Sequence, residues 1–314
     1  MHPLGLSLIL LIQACGGDKP TAPPPSAPPP VDPATVPAAP KPSATPSVRA
    51  KLDAAVLIRE ADGIRLEKRA WSVGEESGLL WTARLARDAA LDVVPVHPGR
   101  ALPALLNTEK GPFAAISGGY ADAAGMPQGL VVSGGFVRST LQARGGGGVL
   151  LSLGGPARII SRDDFSRQKD VVEAVQSADR LVGNGRPTVT LNPEARRGVR
   201  GAVALSEDAV WLVVAAGTAA VAGETDQGVT LGGTFGSGLT QDELCSFLVA
   251  ELHAVDALNV QGAASGGLVV DTGGGRWTLA GDGPNVNAVI FRPATGAAAP
   301  PAEPAPPASA PKSP

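Results

Sequence analysis

Short apolar runs of four to eight residues, bounded by Gly, Pro, Asn and Asp, dominate the middle of this chain: "LLWTARLA", "LDVVPV", "FAAISGGY", "GLVVSGG", "GVLLSL", "ARIIS", "GAVALS", "AVWLVVAAG", "ALNV", "LVVDT", "RWTLAG" and "NAVIF". Runs of that length with β-branched residues argue for strands. With 40 Gly, 30 Pro and only 4% aromatic residues, the core must be Val, Leu, Ala and Ile threaded by many turns. Helical spacing is rare. It is clearest from Thr240 to about Ala254, where Thr240 can cap the first turn and Glu243 completes a capping box. A second helix is expected near Pro103 to Asn107. The irregular order excludes a repeating βαβ pattern, so the expected class is α+β: a strand-rich single domain with a mixed β-sheet core and a few helices.

Both ends are poor in core-forming residues. The segment "DKPTAPPPSAPPPVDPATVPAAPKPSATPS" and the tail "ATGAAAPPAEPAPPASAPKSP" from Ala294 cannot offset their ordering entropy by burial and favour extended polyproline II. The folded domain is therefore expected at 49–293, the disordered tail at 294–314 and a linker at 15–48. At about 3.1 Å per residue the linker reaches on the order of 90 Å. Residues 1–14, "MHPLGLSLILLIQA", hold an apolar run too short to span a bilayer and read as an export signal. "IQAC", ending at Cys15, resembles the lipobox of bacterial lipoproteins. That resemblance implies lipidation of Cys15 and a lipid-anchored protein of the bacterial cell envelope, held at about 0.8 kcal/mol per buried methylene.

A net charge of -3 with interspersed signs leaves no electrostatic footprint for nucleic acid. With Cys15 lipidated, Cys245 has no partner; its helical setting with Leu244, Leu248 and Leu252 makes it a buried structural thiol. The three histidines, His2, His97 and His253, are scattered. There is no HExxH, paired CxxC or GxSxG, so no metal or cofactor is expected. His253 reads as a surface residue late in the helix. "GGGG" at Gly145–Gly148 lacks a Lys-Ser/Thr ending and reads as a hairpin connection. "GGTFGSG", Gly232–Gly238, leads towards a helix whose N-terminus could accept an anion.

Six segments together resemble the phosphodiester glycosidase family: "FAAISGGYADAAGMPQGLVVSGG", "EAVQSADRLVGNG", "VRGAVALSED", "GLTQDELCSFL", "ALNVQGAASGGLVV" and "NVNAVIF". They span about Asp62 to Pro293 in the family's order. The resemblance implies hydrolysis of a sugar joined through phosphate, leaving free sugar and a phosphomonoester. It places Arg200, which opens a strand in the matching block, as the phosphate or sugar clamp, whereas Arg196 and Arg197 read as ordinary basic residues of "EARRGVRG". Ser117, Gly118, Gly119, Gln176, Asn259, Gln261, Ser265 and Asn287 are the other expected substrate-binding positions. Glu173, Asp208 and Asp282, in that order, are the carboxylates expected to act as acid or base; the alternative reading of all three is solvated loop charges.

Departures from the family blocks bear on activity. Ser117 stands where the family has Asn, Tyr120 and Ala121 replace an aromatic pair, Asp179 replaces Pro, and Gln261 replaces Asp. A neutral amide neither accepts a proton nor holds a hard cation as a carboxylate does, and losing a general acid or base costs on the order of 10²–10⁴ in rate. Two readings follow. One is an active hydrolase of a glycan or glycolipid phosphodiester; the other is a catalytically degenerate lipoprotein that binds envelope carbohydrate or another envelope protein.

Overall fold

The computed structural model describes residues 51–143, 147–177, 179–189, 195–232, 237–260, 266–281, 283 and 285–294. Gln261, Ser265, Asp282, Cys15 and both terminal segments lie outside them. The first strands are β1 (Lys51–Leu52), β2 (Val56–Ala61), β3 (Ile64–Val73), β4 (Glu76–Ala86), β5 (Ala90–Arg100), β6 (Phe113–Ser117), β7 (Val131–Ser133) and β8 (Phe136–Ser139). Next come β9 (Gly148–Ser152), β10 (Arg158–Ser161), β11 (Glu173–Ser177), β12 (Arg180–Gly183), β13 (Arg186–Pro187), β14 (Arg200–Leu205) and β15 (Ala209–Gly217). The last are β16 (Val221–Thr225), β17 (Gly228–Leu231), β18 (Asp256–Val260), β19 (Gly267–Asp271), β20 (Arg276–Ala280) and β21 (Asn285–Arg292). The α-helices are α1 (Leu102–Leu105), α2 (Arg162–Phe165) and α3 (Gln241–Ala250).

These strands form three sheets. A nine-stranded sheet runs β1-β3-β4-β15-β14-β18-β12-β13 with β2 added on β3; a five-stranded sheet runs β10-β9-β11-β7-β8; a seven-stranded sheet runs β16-β17-β20-β19-β6-β21-β5. Every pairing is antiparallel except β17 with β20. Strands hold 54% and helices 11% of the described residues, which corrects the expected α+β class with a mixed core: the domain is strand-dominated. Tight connections such as β3–β4 and β14–β15 permit only antiparallel pairing, and the helices are too few and too short to form a layer of their own.

All three sheets turn one face to a common core. Trp81, Leu85, Val203 and Leu258 contribute from the nine-stranded sheet, Val131, Leu150 and Val175 from the five-stranded one, and Ile116, Leu268 and Val289 from the third. The outer face of the nine-stranded sheet is covered by α3, through Leu244, Cys245, Phe247 and Leu248 packed on Ala202, Ala204 and Ala257. Those alanines are the reason the helix can lie close. Leu102 and Leu106 cover the outer face of the seven-stranded sheet.

α3 carries the capping box read from the sequence, with the Thr240 hydroxyl accepting from Glu243 N and the Glu243 carboxylate accepting from Thr240 N. It stops at Ala250, four residues before the expected end, and His253 sits beyond it at φ 51°. Cys245 is buried, donates to Leu181 O at 3.3 Å, and burial pushes its thiol up to about 12. The glycines after β8 do not close a hairpin. Among the described residues β8 pairs with β7, while β9 lies between β10 and β11, so the two flanking strands are not hairpin partners; Gly145 and Gly146 lie outside the described residues.

Candidate active site

The pair Gly118–Gly119 ends β6 where two side chains come against the backbone. A Cβ on Gly118 would lie 1.8 Å from Asn287 Oδ1, and one on Gly119 would lie 2.8 Å from Gln176 O. Only glycine fits there. Asn287 Oδ1 accepts from Gly119 N at 2.8 Å, and its buried Nδ2 has no partner among the described residues. Asn287 alternates with Ala288 and Ile290, so it faces the common core with Val289 and Phe291. Ser117 is opposite Ala288 in the ladder, which puts it on the other face of the sheet, fully buried.

Asn287 thereby holds Gly119, and the next residue, Tyr120, reaches the nine-stranded sheet. Asn259 Nδ2 donates to the Tyr120 phenol oxygen at 2.9 Å. On β18, Asn259 alternates with Leu258 and Val260, which are in the common core, and so projects with Ala257 towards the α3 side. Arg200, which opens β14, lies on that side too: Ala202 and Ala204 share its parity and pack under α3. Its Nε donates to Leu239 O at 3.0 Å and one terminal nitrogen to Arg196 O. The other terminal nitrogen has no partner among the described residues.

Asp179 completes the group. It lies between β11 and β12, its carbonyl accepts from Asn259 N at 2.8 Å, and its carboxylate Oδ2 accepts from Gln241 Nε2 at the start of α3, at 2.8 Å. The charges of Tyr120, Asp179 and Arg200 act on one another. Burial lowers the Arg200 pKa, opposed by Tyr120 and Asp179. Burial raises that of Tyr120 and Asp179 adds to this, while Arg200 and the Asn259 hydrogen bond oppose it. The phenol therefore holds its proton well above neutral pH, with its oxygen already accepting from Asn259 and its O–H left for another acceptor.

The other expected residues lie elsewhere. Gln176, on β11, ties together two connections, β6–β7 and β8–β9: Oε1 accepts from Leu130 N at 3.0 Å and Gln142 N at 2.9 Å, and Nε2 donates to Gln142 O at 3.0 Å. Gly129 makes room for it at φ +116°. Glu173 is clasped by two amides, Val93 N at 2.9 Å and Gly134 N at 2.7 Å, and its carboxyl is raised, burial being the first cause. Asp208 is in the β14–β15 turn, accepting from Arg84 and from Ser206 Oγ. It is separated from Arg200 by the length of β14, roughly 17 Å at about 3.3 Å per residue. Arg197 is tied in two-pronged fashion to Glu243, and Arg196 offers only its carbonyl to Arg200. Tyr120 and Asp179 are the cluster members that reading for site residues missed. Their signal was that both depart from the family blocks.

A family model for phosphodiester glycosidase matches residues 110–300. The chain belongs to the phosphodiester glycosidase family. The matched region contains Tyr120, Asp179, Arg200 and Asn259, and begins well after Asp62, where the block resemblance starts. No curated protein matches the sequence. Among solved structures, a hypothetical protein from Synechocystis is similar with a TM-score of 0.53 and 13% identity, over 76% of this chain and 64% of that one. The chain thus spans under two thirds of that protein, and the likeness concerns the fold. The catalytic domain of zebrafish N-acetylglucosamine-1-phosphodiester alpha-N-acetylglucosaminidase, auto-inhibited by its pro-peptide, has a TM-score of 0.49 and 15% identity, over 79% of this chain and 89% of that one.

Proposed function

We propose that this family member hydrolyses a sugar-1-phosphodiester of a glycan or glycolipid at the Tyr120–Arg200 cluster. The observation that carries the reading is the convergence of a guanidinium, a protonated phenol and a carboxylate at one end of β14, inside the region matched by the family. The C1–O bond breaks with its electron pair passing to the phosphate oxygen, while water attacks C1 and gives a proton to a base. The leaving phosphomonoester has a second pKa near 6, so it departs with little help from an acid. Stabilising its charge matters more, and Arg200 with the Tyr120 O–H supplies that. Asp179, whose Oδ1 has no hydrogen bond among the described residues, is the base we assign for the water.

The test is turnover of a sugar-1-phosphodiester by the purified full chain and by Arg200→Gln. We expect release of free sugar and phosphomonoester by the native protein, with kcat/KM lower by about 10²–10³ in the variant. Equal rates in both would remove Arg200 from the mechanism. A second reading, a carbohydrate binder without turnover, is favoured by one observation: Glu173 and Asp208 are held by hydrogen bonds away from Arg200, and Gln261 replaces a carboxylate. Binding of the phosphodiester with no product would decide for it.

The same proposal holds the protein to be exported, lipidated at Cys15 and carried on the 15–48 linker in the cell envelope. Labelling with a fatty acid analogue should be abolished by Cys15→Ala; label retained on the variant would exclude that anchor.

A further inference from the structure

At the other end of β14 lies a cavity of about 370 Å³ bordered by Arg87, Arg158 and Arg180, with Asp256, Asp164 and Asn184 on its walls. The arginines come from separate elements: Arg87 follows β4, Arg158 is on β10 and Arg180 opens β12. Arg180 is neutralised by Asp256, to which it donates. Asp164 is turned to its own helix, accepting from Ser161 Oγ and from Arg167. Arg87 and Arg158 are left without a carboxylate partner among the described residues.

Two donors here are buried and unused: Arg87 Nη1 and Arg180 Nε have no hydrogen-bond partner among the described residues. Such orphans cost about 1–3 kcal/mol each, more when charged. Arg87 donates only from its other terminal nitrogen, to Ala157 O at 2.7 Å. Burial lowers its pKa, and the like charge of Arg158 lowers it further against the pull of Asp256. Arg87 and Arg158 repel each other on the wall of one concave space and have no carboxylate of their own, an arrangement suited to an anion that supplies acceptors.

We propose that this cavity is a second anion site, separate from the Arg200 cluster, that binds the phosphoryl group of a phosphomonoester of monosaccharide size or smaller. Two uncompensated guanidiniums match a dianion. Donors arriving from three elements suit a tetrahedral oxyanion with three terminal oxygens, whereas a carboxylate presents two in one plane. The volume accommodates one sugar phosphate.

Calorimetric titration of the full chain at low ionic strength tests this, with inorganic phosphate, glucose 6-phosphate and glucuronate as probes. The expected result is saturable binding of a phosphoryl probe that persists in Arg200→Gln and, measured in that background, is weaker by about tenfold or more on adding Arg158→Gln or Arg87→Gln. Tighter binding of glucose 6-phosphate than of phosphate would show that the sugar also enters; equal binding would show that the phosphoryl group alone is held. Either supports the site. Because Arg158 is exposed, its variant should keep the native melting temperature, so it decides the matter even if Arg87→Gln does not fold. Absence of binding by both phosphoryl probes overturns the proposal. So does binding lost in Arg200→Gln but kept in Arg158→Gln, or glucuronate binding as tightly as phosphate.

Discussion

On the five-stranded sheet, Glu173 and Gln176 direct their side-chain acceptors at backbone amides of distant segments. At the Arg200 end of the nine-stranded sheet, Tyr120, Asn259, Asp179 and Gln241 bond in pairs and leave donors and an acceptor over. Both regions bury polar chemistry within the family's matched region. The first is saturated by the chain itself and therefore fixes loops, while the second retains the capacity to bind something else. Side-chain type alone does not separate them, since each holds an amide and a carboxylate.

The sharpest way to break this contrast is to mutate a carboxylate in each region. Asp179→Asn should lower kcat by about 10²–10⁴ with the melting temperature nearly unchanged. If Glu173→Gln caused that loss in a folded protein, the contrast would be reversed. Next in size, Gln176→Ala strands two amides and a carbonyl and should destabilise by about 3 kcal/mol, read by chemical denaturation. Gly118→Ala forces a methyl group onto Asn287 and should cost about 1–3 kcal/mol; a variant as stable as the native protein would show that Asn287 yields freely.

The smallest effect is a pH dependence. Glu173 is raised in the folded state, so the fold binds that proton more tightly than the unfolded chain. Its contribution is present below the ordinary carboxyl range and is lost as pH rises through the raised value. Denaturation midpoints of native and Glu173→Gln protein, compared from pH 4 to 7, should show this slope only in the native protein. Parallel curves would contradict the assignment.

Much of the strand content was legible because its apolar runs are short and uniform. All twelve runs lie in or overlap strands, and α3 was legible from its capping box. What the sequence concealed was non-local. β3 turns Ile64 and Leu66 to the common core and Trp71 and Val73 to the α3 side, with the charged run Glu67, Lys68 and Arg69 between them, and that charge obscures a long strand. Glu173 resembled a catalytic acid because its amide partners at Val93 and Gly134 are 80 and 39 residues away. Ser117 was assigned to the pocket by motif, yet strand alternation turns it to the opposite face. Arg200 and Asn259 were readable from the blocks. Tyr120 and Asp179 became site candidates only when the strands brought three separate connections together.

Hydrolysis of a sugar-1-phosphodiester in ¹⁸O-labelled water tests the central claim most directly. Attack of water at C1, with Arg200 and Tyr120 taking up the charge of the leaving phosphate, predicts that the released phosphomonoester carries no label and the sugar carries it. Label in the phosphomonoester would mean P–O cleavage and would contradict the account; so would the absence of any product.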